Sequence, residues 1–491
     1  MASRAAAAHG PGDIVALTAV ALARAIHARQ LSCREVMAAY LDQIDRVNGA
    51  VNAVVALRER AELLDEADER DRMLKDGKSL GWMHGFPHAV KDLAATRGLR
   101  TTWGSVLLDS VPEVDELFVA RLRRAGAIFI GKTNASEFGL GSQTYNEVYG
   151  VTRNAYDQSL TAGGSSGGAA VAVALRMVPV ADGSDMMGSL RNPAAFNNVV
   201  GFRPSIGRVP DAEAAPGVRE LTTDGPMART VEDVAQLLAV MAGPEPGIPW
   251  AIPEDGARFA AALDSDVSGR RLAWLGDLGG ALTFEPGVLA LCQAGLAPFT
   301  RLGCEVDNAN LPVAVEDLWR CWLLLRQSVV AARLGALYSD PSKRRRLKPE
   351  AQWEIAQGLS LRPDDVLSAF AMREDYLRRL QSLFGRFDFL LAPAAQVFPF
   401  DANCHWPSQV DGRDMDTYHR WMEVVVPASL AGWPAVSVPA GFDARGLPMG
   451  LQIIGPPRSD RAVLEVAYAY QQETRWAQQN PPSLVRATRT E

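Results

Sequence analysis

Residues 161–209 read TAGGSSGGAAVAVALRMVPVADGSDMMGSLRNPAAFNNVVGFRPSIGRV. Two glycine-rich, serine-bearing turns, Gly163 to Gly168 and Gly183 to Ser189, flank an apolar segment long enough for one helix and one strand. Helix alternating with short apolar strand is the unit of an α/β protein, whose crossovers favour a largely parallel sheet. Turns of this kind bring backbone N–H groups close to a ligand, because glycine has no Cβ to block the approach. Serine is the conventional nucleophile they offer, so the stretch points to hydrolysis or acyl transfer.

The alternation continues outward on both sides. Residues 14–47 predict two helices, the second opened by the capping box Ser32-Cys33-Arg34-Glu35 and lined on one face by Met37, Leu41 and Ile44. A strand follows at Ala53 to Leu57, then a charged, exposed helix over 58–78. The next run, Gly81-Trp82-Met83-His84-Gly85-Phe86-Pro87-His88-Ala89-Val90-Lys91-Asp92, ends a short strand on a lysine. Taken alone, that lysine reads as a surface residue whose stem snorkels; buried without a partner it becomes a neutral amine and a base. A helix over 114–125, a strand at Ala127 to Ile130 and a turn over 131–138 come next, with Lys132 and Glu137 read as structural. On the far side, Gly225-Pro226-Met227-Ala228-Arg229 leads into a helix capped by Thr230 with Asp233 three residues on. Beyond a proline-rich 244–253 the reading is a strand at Arg271 to Leu275 and then helical periodicity, a variable and mostly helical layer over about 245–385. Late strands follow at Phe387 to Leu391, Val436 to Val438 and Gly450 to Gly455.

Composition narrows the class. The chain has 491 residues, 48% apolar and 22% charged, as an ordinary globular protein does. A net charge of −7 gives no general attraction to nucleic acid or to anionic membrane, and Lys343-Arg344-Arg345-Arg346 reads as a solvated face. The five cysteines, 33, 292, 304, 321 and 404, form no CxxC pair and suit a reducing cytoplasm. Residues 1–12 have no bulky apolar core and are expected to be a disordered lead. No apolar run reaches the roughly 18 residues that a membrane helix needs.

The serine's partners are found by elimination. Gly164-Ser165-Ser166-Gly167-Gly168 matches the GxSxG pattern that would put Ser166 on a strand-to-helix elbow with an acid and a histidine downstream. The preceding 154–161 is polar where a buried strand is required, and the downstream histidines are His405 and His419 alone. Neither turn is a phosphate loop, and the six histidines form no metal-ligand pattern. What remains to activate a hydroxyl is a neutral lysine, acting directly or through a second hydroxyl.

Together the segments Gly85 to Asp92, Gly131 to Phe138, Gly163 to Gly168, Gly183 to Arg191 and Gly225 to Asp233 resemble the amidase signature family of serine hydrolases. The resemblance runs on to Gly432-Trp433-Pro434-Ala435-Val436-Ser437-Val438-Pro439 and Gly446 to Gln452, and leaves out about 245–385. It implies a single α/β domain over 1–491, with a large mixed, mostly parallel twisted sheet between helical layers and a core over about 60–240 and 385–475. It also implies Lys91 as the base, Ser165 as a bridging serine held by a cis peptide, and Ser189, 24 positions later, as the nucleophile. The backbone of Met186, Met187, Gly188 and Ser189 is then the oxyanion hole, with Ser166, Asp185 and Arg191 in support. Gly163, Gly164, Trp82, Tyr418 and Trp421 are the substrate-binding candidates. No metal or cofactor is implied; the partner is a small-molecule amide or carbamate, with no nucleic acid and no membrane, and the chain is a monomer or homodimer.

One position departs from the pattern. The family usually has two glycines before its nucleophile, and this chain has Met187-Gly188-Ser189. The reading is that Met187 keeps an allowed backbone and turns its thioether into or beside the acyl pocket. Aromatic and methionine residues around 82–103 and 418–422 favour hydrophobic amides or carbamates. The alternatives are a glutamine-hydrolysing subunit of a tRNA-dependent amidotransferase, a Ser-His-Asp esterase using Ser166, and a catalytically silent binding protein.

Overall fold

Helices begin where the sequence supplies caps. Ser32 Oγ accepts from the Glu35 N–H, the Glu35 carboxylate accepts from the Ser32 N–H, and Thr230 Oγ1 accepts from the Asp233 N–H. The computed structural model describes residues 10–212 and 218–486. Of the lead expected over 1–12, residues 1–9 lie outside the described residues, while Pro11 opens a helix, Pro11–Ala16.

Two sheets adjoin. The smaller has the order β1-β3-β2, from β1 (Val54–Val55), β2 (Pro87–Lys91) and β3 (Ile128–Thr133). The larger has eight strands in the order β4-β6-β5-β12-β13-β9-β7-β8. They are β4 (Ala181–Asp185), β5 (Val200–Arg203), β6 (Thr223–Ala228), β7 (Arg271–Trp274), β8 (Glu305–Asn308), β9 (Phe389–Pro393), β12 (Ala435–Phe442) and β13 (Pro448–Ile454). A two-stranded hairpin, β10 (Gln409–Val410) and β11 (Arg413–Asp414), stands apart.

The sheet is mixed and flanked by helices, but the expectation of a mostly parallel sheet is corrected. Each neighbouring pair from β4 to β9 is antiparallel, and only β9–β7 and β7–β8 are parallel. Parallel pairing needs a returning crossover of a dozen or more residues. Such crossovers exist between β2 and β3, across the helix Leu117–Arg124, and between β7 and β8, across Val288–Ala294 and Ala297–Arg301. By contrast, β12 returns to β13 through a tight turn closed by Gly446 N–H to Asp443 O at 3.0 Å.

Two further boundaries move. Gly183 to Asp185, expected in a turn, pair with β6 as part of β4, so the turn is confined to 186–190. The layer at 245–385 adds β7 and β8 to the large sheet; β8 escaped notice because its polar sequence, Glu-Val-Asp-Asn, carries no apolar alternation. The helix Val315–Ser339 then packs on Pro349–Leu359 and Pro363–Leu383. Among the described residues no helix is long and apolar enough to cross a membrane.

The helix Gly167–Ala174 is apolar and buried on every side, as an element inside the molecule must be. Its first turn points at the junction of the two sheets. There β2 lies beside β4 with a side chain in place of a backbone ladder. Asp182 of β4 accepts the Lys91 N–H at 3.0 Å and holds His88 Nε2 at 2.8 Å. One carboxylate thereby satisfies two groups of the neighbouring strand and fixes the end of β2.

Candidate functional site

Lys91 is the last residue of β2 and only 1% exposed. Its amine reaches three hydroxyls: Ser165 Oγ at 2.9 Å, Ser166 Oγ at 2.8 Å and Ser184 Oγ at 2.9 Å. Burial lowers its pKa from 10.5 to about 7, against the opposing pull of Asp224, Asp182 and Asp185, which favour the ammonium. An ammonium would donate to all three hydroxyls; the neutral amine has one lone pair, so one hydroxyl must turn and donate to it. Hydroxyl-to-amine proton transfer is therefore open at this point near neutral pH.

Two elements supply those hydroxyls. Ser165 and Ser166 end the loop before the Gly167–Ala174 helix, and the Gly164–Ser165 peptide is cis. Ser184 comes from β4. Gly183 makes the approach possible: a Cβ there would stand 2.8 Å from Ser166 Oγ and 2.8 Å from Leu190 Cδ2. Ser184 comes as close to the lysine as Ser165 does, an approach that shows only once β4 is paired with β6.

Ser165, Ser184 and Ser189 line one narrow cavity. Its remaining described wall is largely apolar: Leu93, Phe138, Leu140, Met186, Val329, Val330 and Leu334, with Gly139, Thr222 and Arg333. Val329, Val330, Arg333 and Leu334 belong to the Val315–Ser339 helix, whose apolar periodicity marks a buried face without saying what that face covers. The Arg333 guanidinium lies 4.1 Å from the Trp103 ring centre, over a small apolar cluster containing Phe138, Leu140 and Leu334.

The turn carrying Ser189 is held from behind. Asp185 accepts the Gly188 N–H at 2.8 Å and the Leu190 N–H at 3.2 Å. Arg191 grips the same carboxylate through Nε at 3.0 Å and Nη2 at 3.1 Å, and also donates to Ser429 Oγ, Gln452 Oε1 and Val425 O. Arg203 adds a further contact at 3.2 Å. Burial alone would raise the Asp185 carboxyl, but Arg191 and Arg203 outweigh it and hold it well below the usual range. The Gly188 N–H, expected among the oxyanion donors over 186–189, is instead taken by Asp185.

Met187 lies outside the left-handed region, and the positive φ of the turn, +83°, falls on Gly188. A Cβ on Gly188 would stand 2.9 Å from Val425 Cγ2, so this is the position that requires glycine. Met187 packs into the main core at 2% exposure, and its neighbour Met186 is the one that faces the cavity. The expectation that the Met187 thioether enters the pocket is corrected by one residue.

The substrate-binding candidates are placed elsewhere than on this wall. Trp82 packs on Phe86, with ring centres 5.2 Å apart. Trp421 is fully buried and donates to Tyr418 O. Tyr418 OH donates to Glu354 Oε2 at 2.6 Å and accepts from Arg326, whose other amino group lies 3.3 Å from Met186 Sδ. Tyr418 thus reaches the cavity only through Arg326 and Met186. Gly164 stands behind Ser165, its N–H and C=O both bonded to Ser142 Oγ, and Gly163 packs against Asn192 and Pro193. Lys132 donates to Ala94 O and Thr96 Oγ1, and Glu137 accepts from Ser105 and the Lys348 N–H. Residues 154–161 form no strand; His405 stacks on Tyr145 and His419 lies among Trp319, Trp353 and Tyr418, so neither attends Ser166.

Comparison with known proteins places this geometry among relatives. The family model described as Amidase matches residues 35–464. The chain is 34% identical over 468 residues to an acylamidase of Rhodococcus erythropolis, covering 95% of this chain and 97% of that one. It is 33% identical over 486 residues to a glutamyl-tRNA(Gln) amidotransferase subunit of Thermosynechococcus vestitus, covering 94% and 98%. Among solved structures it superposes on a bacterial aryl acylamidase of the amidase signature family with a TM-score of 0.88 and 27% identity, covering 97% of this chain and 99% of that one.

Proposed function

The chain belongs to the amidase family of C–N hydrolases, and from that premise we propose that it cleaves amides bearing an apolar acyl or aryl group, with aryl carbamates in the same range. The observation that carries this reading is Lys91 Nζ at 2.9 Å from Ser165 Oγ, with Ser165 and Ser189 on one largely apolar cavity wall. Neutral Lys91 takes the Ser165 proton as Ser165 takes that of Ser189, and Ser189 Oγ forms a bond to the carbonyl carbon. The N–H groups of Met186, Met187 and Ser189 face the developing oxyanion, each worth on the order of 3 kcal/mol where such donors have been removed elsewhere. The C–N bond then breaks as the relay runs backward and hands the proton to the departing amine. Water, deprotonated through the same relay, releases the acid and restores Ser189.

A second reading is favoured by the likeness to amidotransferase subunits: hydrolysis of glutamine on behalf of a partner. The apolar wall of Leu93, Phe138, Leu140, Val329, Val330 and Leu334 favours the first, since a glutamine side chain leaves it unused. Purified protein assayed on p-nitroanilides, aliphatic amides, aryl carbamates and glutamine separates the two. The expected result is turnover of aryl or aliphatic amides by the chain alone. Ser189→Ala should lower it at least about 10³-fold and Lys91→Ala about 10²–10⁴-fold. Full activity in Ser189→Ala overturns the mechanism, and activity on glutamine alone overturns the substrate class.

A further inference from the structure

The Gly167–Ala174 helix leads at its far end, away from Ser165, into a second cavity, lined by Thr18, Tyr156, Arg176, Asn198, Arg229 and Thr230 among others. No part of the mechanism above uses it. The Arg176 side chain is half-buried and makes no hydrogen bond or ion pair with a described residue; after burial itself, the charge that acts on it most strongly, that of Arg229, is of its own sign. Arg229 ties the Pro11–Ala16 helix end through Ala16 O and Leu17 O, and its buried Nε has no partner. A nearby carboxylate, Asp233, accepts the Val20 N–H through one oxygen, leaves the other without a hydrogen bond and forms no ion pair with either arginine, although the Arg229 charge acts on it. Two like charges held close together are costly in a partly buried place.

The other lining groups complement an oxyanion. Thr18 Oγ1 and Thr230 Oγ1 each accept a cap bond, from the Ala21 and Asp233 N–H groups, and so keep their O–H protons free to donate. Asn198 is 2% exposed and anchored through Nδ2 to Tyr156 OH at 2.7 Å, which leaves its buried Oδ1 with no partner. Arg176 and Asn198 have φ of +59° and +54°, in the left-handed region that favours glycine. Both follow helix ends, Arg176 after Gly167–Ala174 and Asn198 after Arg191–Phe196, and close them in that conformation.

We infer that this cavity is a binding site for phosphate. Two guanidinium groups and two hydroxyls line the cavity and can donate to the phosphate oxygens. The site is remote from the serine cluster and independent of the reaction assigned to it.

The test is calorimetric titration of the full chain with inorganic phosphate, with potassium chloride and citrate at matched ionic strength as the other arms. Arg176→Gly is the decisive variant, because it removes the cation at a φ that glycine adopts freely, so the fold is kept. The expected result is saturable one-to-one phosphate binding, at least tenfold weaker in Arg176→Gly and unchanged in Ser189→Ala. Binding lost in Ser189→Ala, or equal in Arg176→Gly, places phosphate elsewhere and overturns the proposal. Citrate binding more tightly than phosphate overturns the assignment of the ligand, and the absence of saturable binding in every arm overturns the site itself.

Discussion

At the scale of single residues, two methionines that adjoin in sequence do different work. Met186 faces the cavity with its sulfur 3.3 Å from an Arg326 amino group, while Met187 fills the core. Trimming Met186 to glycine should enlarge the acyl pocket and shift kcat/KM toward longer or bulkier acyl groups, with little change in stability. Trimming Met187 to glycine should cost on the order of 2–5 kcal/mol of stability, as lost core volume does, and leave acyl preference where it was. Chain-length profiles and thermal melts of the two variants check this; a changed preference in Met187→Gly alone reverses the assignment. That Lys91, Ser165 and Ser189 come together was expected only from the family resemblance, since Lys91 taken alone reads as a surface residue; the structure brings Lys91 to Ser165 and sets Ser165 and Ser189 on one cavity. Ser184 and Arg333 were not legible in the sequence: one depends on strand pairing, the other on which face of a long helix meets the cleft, and neither is encoded locally.

At the scale of elements, the site rests on β4 and the turn that follows. Asp185 ends the strand and receives two turn N–H groups and two arginines, all buried, so the turn cannot move without exposing charge to an apolar interior. Removing one partner leaves the rest uncompensated. Arg191→Ala should therefore destabilise the protein by about 3–5 kcal/mol. Denaturant melts read that loss directly, and a loss below about 1 kcal/mol would show that the network carries little stability. The elements themselves were largely visible in the apolar runs and caps, including the helix starts at Ser32 and Thr230. Their pairing was not, because alternation of helix and strand predicts a parallel neighbour only where the intervening helix returns the chain beside its own starting strand. That holds for β2 with β3 and for β7 with β8, and fails for the hairpin of β12 with β13.

At the scale of the whole molecule, the property that matters is enclosure. A solvated lysine has a pKa near 10.4 and is an ammonium at neutral pH. Lys91 is brought to about 7 because the small sheet supplies it, the large sheet walls one side through Ser184 and the buried helix closes the other through Ser165 and Ser166. Burial disfavours the charged form, so the sign is fixed: below about 7 the amine holds its proton and cannot accept one, and above it the base is free. With Lys91 as the base, kcat/KM should fall as the pH drops through about 7, reaching about one tenth of its plateau one unit below. The flanking carboxylates pull the other way, since Asp224, Asp182 and Asp185 each favour the ammonium. A pH profile of kcat/KM on a p-nitroanilide measures this limb, and a limb near pH 10 would mean that the lysine is open to water.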